Sequence, residues 1–212
     1  MRDVPYSTDI SRVPTDGDLY IFAVKDSALL DLVSRMPSNR GLWVHTAGSM
    51  DMEVFAPYTA RYGVFYPMQT FSKERETDFD DIPIFVETNH TDDTERLQKL
   101  AGRLSTKVYE ATSEQRKYLH LAAVFACNFS NHLYALCDRI LSEHGLPFET
   151  MLPLIRETAA KVADMPPAQA QTGPAIRYDK NVIDKQMALL SDPTMRQIYD
   201  LMSRSIHETN KH

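Results

Sequence analysis

The chain has 212 residues, 43% of them hydrophobic and 25% charged, values of an ordinary globular protein that speak against both a disordered chain and a membrane protein. Its net charge of −6 speaks against non-specific nucleic-acid binding, which needs a basic surface. Seven glycines occur, no two closer than seven positions, so neither G-x-G-x-x-G nor a Walker A loop can be written anywhere in the sequence.

Leu19–Val24 (LYIFAV) is a continuous apolar run, the pattern of a strand covered on both faces. Asp26 is placed to cap the following SALLDLVSRM, whose apolar residues keep helical spacing up to Pro37. Gly41–Thr46 (GLWVHT) predicts a second buried strand, followed by a short segment, Met50–Phe55. Strands at Tyr62–Tyr66 and Ile82–Glu87, a helix near Asp92–Leu104 and a strand at Thr106–Ala111 come next, and the acidic stretch Lys73–Asp81 reads as an exposed loop. This alternation predicts a mostly parallel α/β sheet.

At Thr112 the character changes and strand patterns stop. Thr112-Ser113-Glu114-Gln115 fits a capping box, and a helical pattern runs from it to about His144, where Gly145 and Pro147 end it. Further helices are expected at Pro147–Ala163, interrupted by Pro153, at about Lys180–Leu190, and at Pro193–Glu208 with Asp192 as cap. Two domains follow, an α/β domain over residues 1–111 and an all-α domain over residues 112–212. Cys127 and Cys137 stand ten apart in one helix, roughly 15 Å, too far for a mutual disulfide. With no signal-peptide or membrane-spanning pattern, a reduced cytoplasmic protein is expected.

In an open parallel sheet, ligands bind beyond the carboxyl ends of the strands. That rule selects Val24-Lys25-Asp26-Ser27, His45-Thr46-Ala47-Gly48-Ser49 and Pro67-Met68-Gln69-Thr70-Phe71. Asp26 and Ser49 read first as helix caps. His45 closes a buried strand and reads equally as a satisfied structural histidine or as a functional one. His120, Cys127 and Asn131, spaced by seven and four, fall on one helical face, a stripe facing either a cleft or a neighbouring helix. The loop Gln171-Thr172-Gly173-Pro174 with Arg177 suits a carboxylate or phosphate clamp, or a plain connection in which Arg177 pairs with Asp179. No metal site is expected, because H-x-x-x-H, H-E-x-x-H and C-x-x-C are all missing.

Five segments together, LYIFAVKDS, HTAGS, YGVFYPMQTFS, HLAAVFACNFSNHLYAL and QTGPAIRYD, resemble the Rossmann-like proteins that carry the domain of unknown function 2520, a family labelled as NADP oxidoreductases. The resemblance runs from about Tyr6 to the C-terminus. It implies a partial Rossmann-like NAD(P)-binding domain followed by a helical domain similar to the C-terminal domains of 6-phosphogluconate dehydrogenase and pyrroline-5-carboxylate reductase, which build dimers. It further implies nucleotide contacts (NADP or NAD) at Val24, Lys25, Asp26, His45, Thr46 and Gly48. A small-molecule substrate in a cleft between the domains would draw on Ser49, Pro67, Gln69, His120, Asn128, Thr172 and Arg177. Hydride transfer needs a group titrating near neutrality, and His45 or His120 would be the catalytic proton donor or acceptor. Neither a nucleic acid nor a membrane is implied as partner.

Family members begin with a strand, a G-x-G-x-x-G turn and a helix that this sequence lacks, and Pro5–Thr8 reads as the remnant. Without that unit Leu19–Val24 is expected at an open apolar edge, and the pyrophosphate has no helix N-terminus to rest on. Weak dinucleotide binding, or none, is the expectation for these 212 residues. The alternative reading is a non-catalytic binding or dimerisation module on a degenerate Rossmann-like scaffold.

Overall fold

The structure, a computed structural model, describes residues 6–211. The apolar runs form one five-stranded sheet in the order β1 (Leu19–Phe22), β2 (Leu42–His45), β3 (Tyr62–Pro67), β4 (Ile84–Thr88) and β5 (Val108–Glu110). Three of the four pairings are parallel, and β3–β4 is antiparallel. The antiparallel step has a local cause. A parallel neighbour needs a crossover, usually a helix, and the connection from Met68 to Pro83 contains none.

An in-line run of this kind is what the 4-5-6 half of the doubly wound 3-2-1-4-5-6 order presents. β1 therefore stands at the sheet edge, and Ile21 on it is 50% exposed. Of the expected remnant Pro5–Thr8, Pro5 lies outside the described residues and Tyr6–Thr8 form no strand.

Side chains alternate across the sheet, as the two-residue strand period requires. Leu42, Val44, Phe65, Ile84 and Val86 pack on one face against Leu97 and Ala101 of α2 (Thr91–Ala101). On the other face Phe22, Trp43 and Tyr62 pack with Phe55 and with Leu29 and Val33 of α1 (Asp26–Ser34). β2 is buried along its whole length, which is why LWVH carries no polar residue except the histidine that ends it.

The capping box forms as expected: the Thr112 side chain accepts from the Gln115 backbone, and the Gln115 side chain accepts from the Thr112 backbone. The helix it starts consists of α3 (Ser113–Ala123), a π-helical stretch (Val124–Phe129) and α4 (Ser130–Glu143). A π turn takes one residue more than an α turn. The spacing that stacked His120, Cys127 and Asn131 on one face requires an unbroken 3.6-residue period, and the π stretch breaks it.

By their contacts the residues gather into two compact units, one ending at Phe129 and one starting at Ser130. The second unit is all helical: α4, α5 (Leu152–Asp164), the short α6 (Pro167–Ala170), α7 (Lys180–Ala188) and α8 (Pro193–Thr209). Gly145, at φ +69°, takes the left-handed conformation that follows α4. The expected helix from Pro147 is divided beside Pro153: a 3-10 turn, Phe148–Met151, gives way to α5, and the proline sits in the first turn of α5, where its missing N–H costs nothing. Asp192 caps α8 through Thr194 (2.7 Å) and Met195 (3.1 Å) and also receives Arg139.

Among the described residues of this unit only Ile183, Met195 and Ser203 are buried. A groove of about 620 Å³ runs between α4, α7 and α8, lined by Leu133, Ile140, Leu189, Met195 and Met202, with Thr172 and Pro174 at it. Cys127 and Cys137 are free thiols.

Candidate functional site

Parallel pairing brings the carboxyl ends of β1, β2 and β3 to one side of the sheet, with Phe22 beside His45 and His45 beside Val64. The turn Thr46–Ser49 lies there, and three sets of contacts hold it. Thr46 donates its N–H to the Phe22 carbonyl at 3.3 Å, and Ala47 donates to His45 Nδ1 at 3.2 Å. Ser49 donates its hydroxyl to Asp26. From below, the fully buried Arg116 of α3 donates Nε–H to the Ala47 carbonyl at 3.3 Å and a terminal N–H to the Met50 carbonyl.

Arg116 is held in turn by Glu87, which accepts from it at 2.7 Å and from the Ser113 N–H and hydroxyl at 2.8 and 2.7 Å. Glu87 stands across β3 from His45, since both pair with Val64. One row of the sheet therefore presents His45, Val64 and Glu87 on the same face, where the first turns of α3 meet it. One helical turn beyond Arg116, His120 brings Nδ1 to 3.4 Å from the hydroxyl of Tyr66, a residue two positions along β3 on that face.

His45 does not meet the expectation of a proton-transfer group. Its exposure is 0%, its Nδ1 accepts from Ala47, and its Nε2 faces the Asp51 carbonyl at 3.4 Å. The ring packs on Phe55 at 5.6 Å. Burial, together with the Arg116 charge, pushes its pKa down from 6.5 to about 4, against the smaller opposing effects of the Asp51 bond and the Asp26 and Glu87 charges. It is a neutral histidine that shapes the turn and has no nitrogen free for a substrate.

Asp26 and Ser49 are not the caps the sequence suggested. Lys25 occupies the position before α1, Asp26 is its first helical residue, and Asp51 caps the short turn Met52–Phe55. Asp26 and Ser49 are instead bonded to each other, which ties α1 to the turn after β2.

A model of the domain of unknown function 2520 matches residues 82–206. The chain belongs to this family. The crystal structure of a putative NADP oxidoreductase from Bacteroides fragilis is similar at 53% identity over 96% of this chain and 80% of that one, with a TM-score of 0.88. A Thermotoga maritima protein is similar at 22% identity over 94% of this chain and 82% of that one, with a TM-score of 0.79. A reductive aminase from Aspergillus terreus, solved with NADPH and ethyl levulinate, is similar at 14% identity over 90% of this chain and 74% of that one, with a TM-score of 0.67. The last two likenesses concern the fold, which is Rossmann-like. No curated protein matches the chain.

Against that family background the first unit gathers Val24, Lys25, Asp26, Thr46, Gly48, Ser49, Pro67 and His120 at the carboxyl ends of the strands. Gln69 follows β3, exposed, with its side-chain oxygen turned to the Thr70 N–H at 2.8 Å. Asn128 is exposed within the π stretch. Thr172 and Arg177 belong to the second unit, where Asp179 caps α7 and does not pair with Arg177. Sequence reasoning passed over Arg116, Glu87 and Tyr66. Tyr66 immediately precedes the nominated Pro67, and Arg116 stands four residues before the nominated His120, so both lay within reach of the pattern.

The pyrophosphate of a nicotinamide cofactor would need free backbone amides at the turn. Those of Thr46 and Ala47 are engaged within the protein, so they cannot cradle a pyrophosphate. No helix among the described residues is long and apolar enough to cross a membrane.

Proposed function

We propose that the chain belongs to an NAD(P)-dependent oxidoreductase acting on a small molecule, with His120 as the group that moves the proton. The observation carrying this reading is the His120–Tyr66 pair beside Gly48, at the carboxyl ends of the parallel strands. The name given to the Bacteroides fragilis relative supports it. Val24, Lys25, Asp26, Thr46 and Gly48 would hold the nicotinamide end of the cofactor, which when bound supplies or receives the hydride. Ser49, Pro67, Gln69 and Asn128 would contact substrate. The surrounding chain keeps His45 and Arg116 dry and fixed and leaves the His120 ring exposed to exchange a proton. A reducing cytoplasm suits the free Cys127 and Cys137.

NADPH titrated into the isotopically labelled 212-residue chain is expected to bind weakly, without saturating below millimolar cofactor, and to shift amides at Lys25, Asp26 and Thr46–Ser49. Shifts confined elsewhere overturn the proposed site, and tight binding overturns the expectation that the glycine-rich unit is needed. In an NADPH-dependent turnover assay, His120→Gln is expected to lower kcat roughly 10²–10⁴-fold. Unchanged turnover would favour the second reading, a dimerisation module on a Rossmann-like scaffold, which the exposed apolar faces of the helical unit support.

Those faces carry a second proposal, a homodimer through the helical unit. Leu189 is 81% exposed at the rim of the groove, and Leu154, Leu201 and Met202 are exposed as well, apolar surface that a second copy would cover. Light scattering is expected to give twice the chain mass, and Leu189→Glu to give the chain mass with its helical content kept. A monomeric wild type would refute the dimer.

A further inference from the structure

α3 is pinned to the sheet at two levels before it reaches His120. Ser113 bonds Glu87 on β4 and also accepts from the Met52 N–H at 3.2 Å. Arg116 joins Glu87 to the Ala47 and Met50 carbonyls. The register of the helix is therefore fixed when its next turn arrives over Tyr66. The tyrosine is 8% exposed, and burial raises the pKa of its hydroxyl against the opposing pull of Arg116, so the hydroxyl keeps its proton at neutral pH.

A neutral hydroxyl both donates and accepts. It can give its proton to Nδ1 of a neutral imidazole, and accept the Nδ1 proton of an imidazolium. Either bond places Nδ1 towards the sheet and leaves Nε2 as the outward nitrogen. Gly48 makes the meeting sterically possible: a Cβ there would stand 2.7 Å from His120 Nδ1 and 2.9 Å from the Tyr66 hydroxyl, closer than real Cβ atoms come to their neighbours. The glycine of HTAGS, at which the family resemblance implies a nucleotide contact, thus also serves by its missing side chain.

We propose that Tyr66 is a positioning residue for His120, its hydroxyl donating to Nδ1 of the neutral ring so that the proton sits on Nε2 and Nε2 is the nitrogen presented for proton transfer. This rests on the reading of His120 as the proton-transfer group, while its test needs neither cofactor nor turnover. In protein labelled with ¹⁵N-histidine, above the titration of the ring, wild-type His120 is expected to show the Nε2–H form alone. Tyr66→Phe removes only the hydroxyl and is expected to give a mixture of both tautomers, seen as ring-nitrogen shifts moving towards each other. Gly48→Ala, which keeps the hydroxyl but occupies the space between the rings, is expected to give the same mixture. A mixed wild-type ring, or a Tyr66→Phe ring identical to wild type, overturns the positioning role and leaves the proton-transfer reading standing. Should the tautomer respond while His120→Gln leaves NADPH-dependent turnover unchanged, the proton-transfer reading falls and the hydrogen bond stands.

Discussion

Arg116→Met is expected to destabilise the first unit by about 3–5 kcal/mol, the usual cost of removing one member of a buried ion pair. The cause is local. Arg116 is fully buried, its partner Glu87 is nearly so, and the guanidinium also serves the Ala47 and Met50 carbonyls. Methionine matches the volume but donates nothing, so two carbonyls, one carboxylate and the Ser113 hydroxyl oxygen lose a donor together. Glu87 keeps its two bonds from Ser113, which holds the loss near the figure for one broken pair. With urea slopes of about 1–3 kcal/mol per molar, the midpoint should fall by at least about 1 M at unchanged slope. Arg116→Lys is expected to fall between, since an ammonium retains the charge without the planar fork that reaches four acceptors at once. An unchanged midpoint for Arg116→Met would show that the turn after β2 is held by something else.

The same cluster marks where sequence reading worked and where it stopped. The strands were legible because LYIFAV, GLWV and YGVFY are apolar without interruption, but only the second and third are buried; β1, expected to be covered on both faces, leaves Ile21 exposed at the sheet edge. The capping box was legible because its partners stand three residues apart. Five short segments in order were enough to point to the family to which the chain belongs. Arg116 was not legible. In SEQRKYLH it has the look of a solvated helix residue, and what buries it is Glu87, 29 residues away on another element. His45 was ambiguous because a histidine at a strand end becomes structural or functional through its second nitrogen, and that nitrogen's partner, the Asp51 carbonyl, is set by the course of the turn. His120 was nominated from a stripe that the π stretch interrupts, and its pairing with Tyr66 arises from α3 alone. Local patterns foretold the elements, whereas the chemistry depends on contacts between them.

The buried His45 also predicts how stability follows pH. Its folded pKa, about 4, lies below the 6.5 of an exposed histidine, so between those values the unfolded chain binds a proton that the folded chain refuses. Unfolding is therefore favoured as pH falls through that window, and the stability that neutral His45 contributes is complete above pH 6.5. The linkage amounts to about 2 kcal/mol between pH 7 and pH 5, and to about 3 kcal/mol once both states are protonated. Carboxylates whose pKa is lowered, such as Asp51, Asp93 and Asp192, also lose stability on acidification, but below their ordinary value of 3.8, outside this window. His45→Gln separates the two contributions. Glutamine can still donate to the Asp51 carbonyl and accept from Ala47, but it does not titrate. Urea unfolding at pH 5 and pH 7 is expected to show the full difference in the wild type and to lose about 2 kcal/mol of it in His45→Gln. An equal pH dependence in both proteins would mean that the ring titrates normally, and so that water reaches it in the folded state.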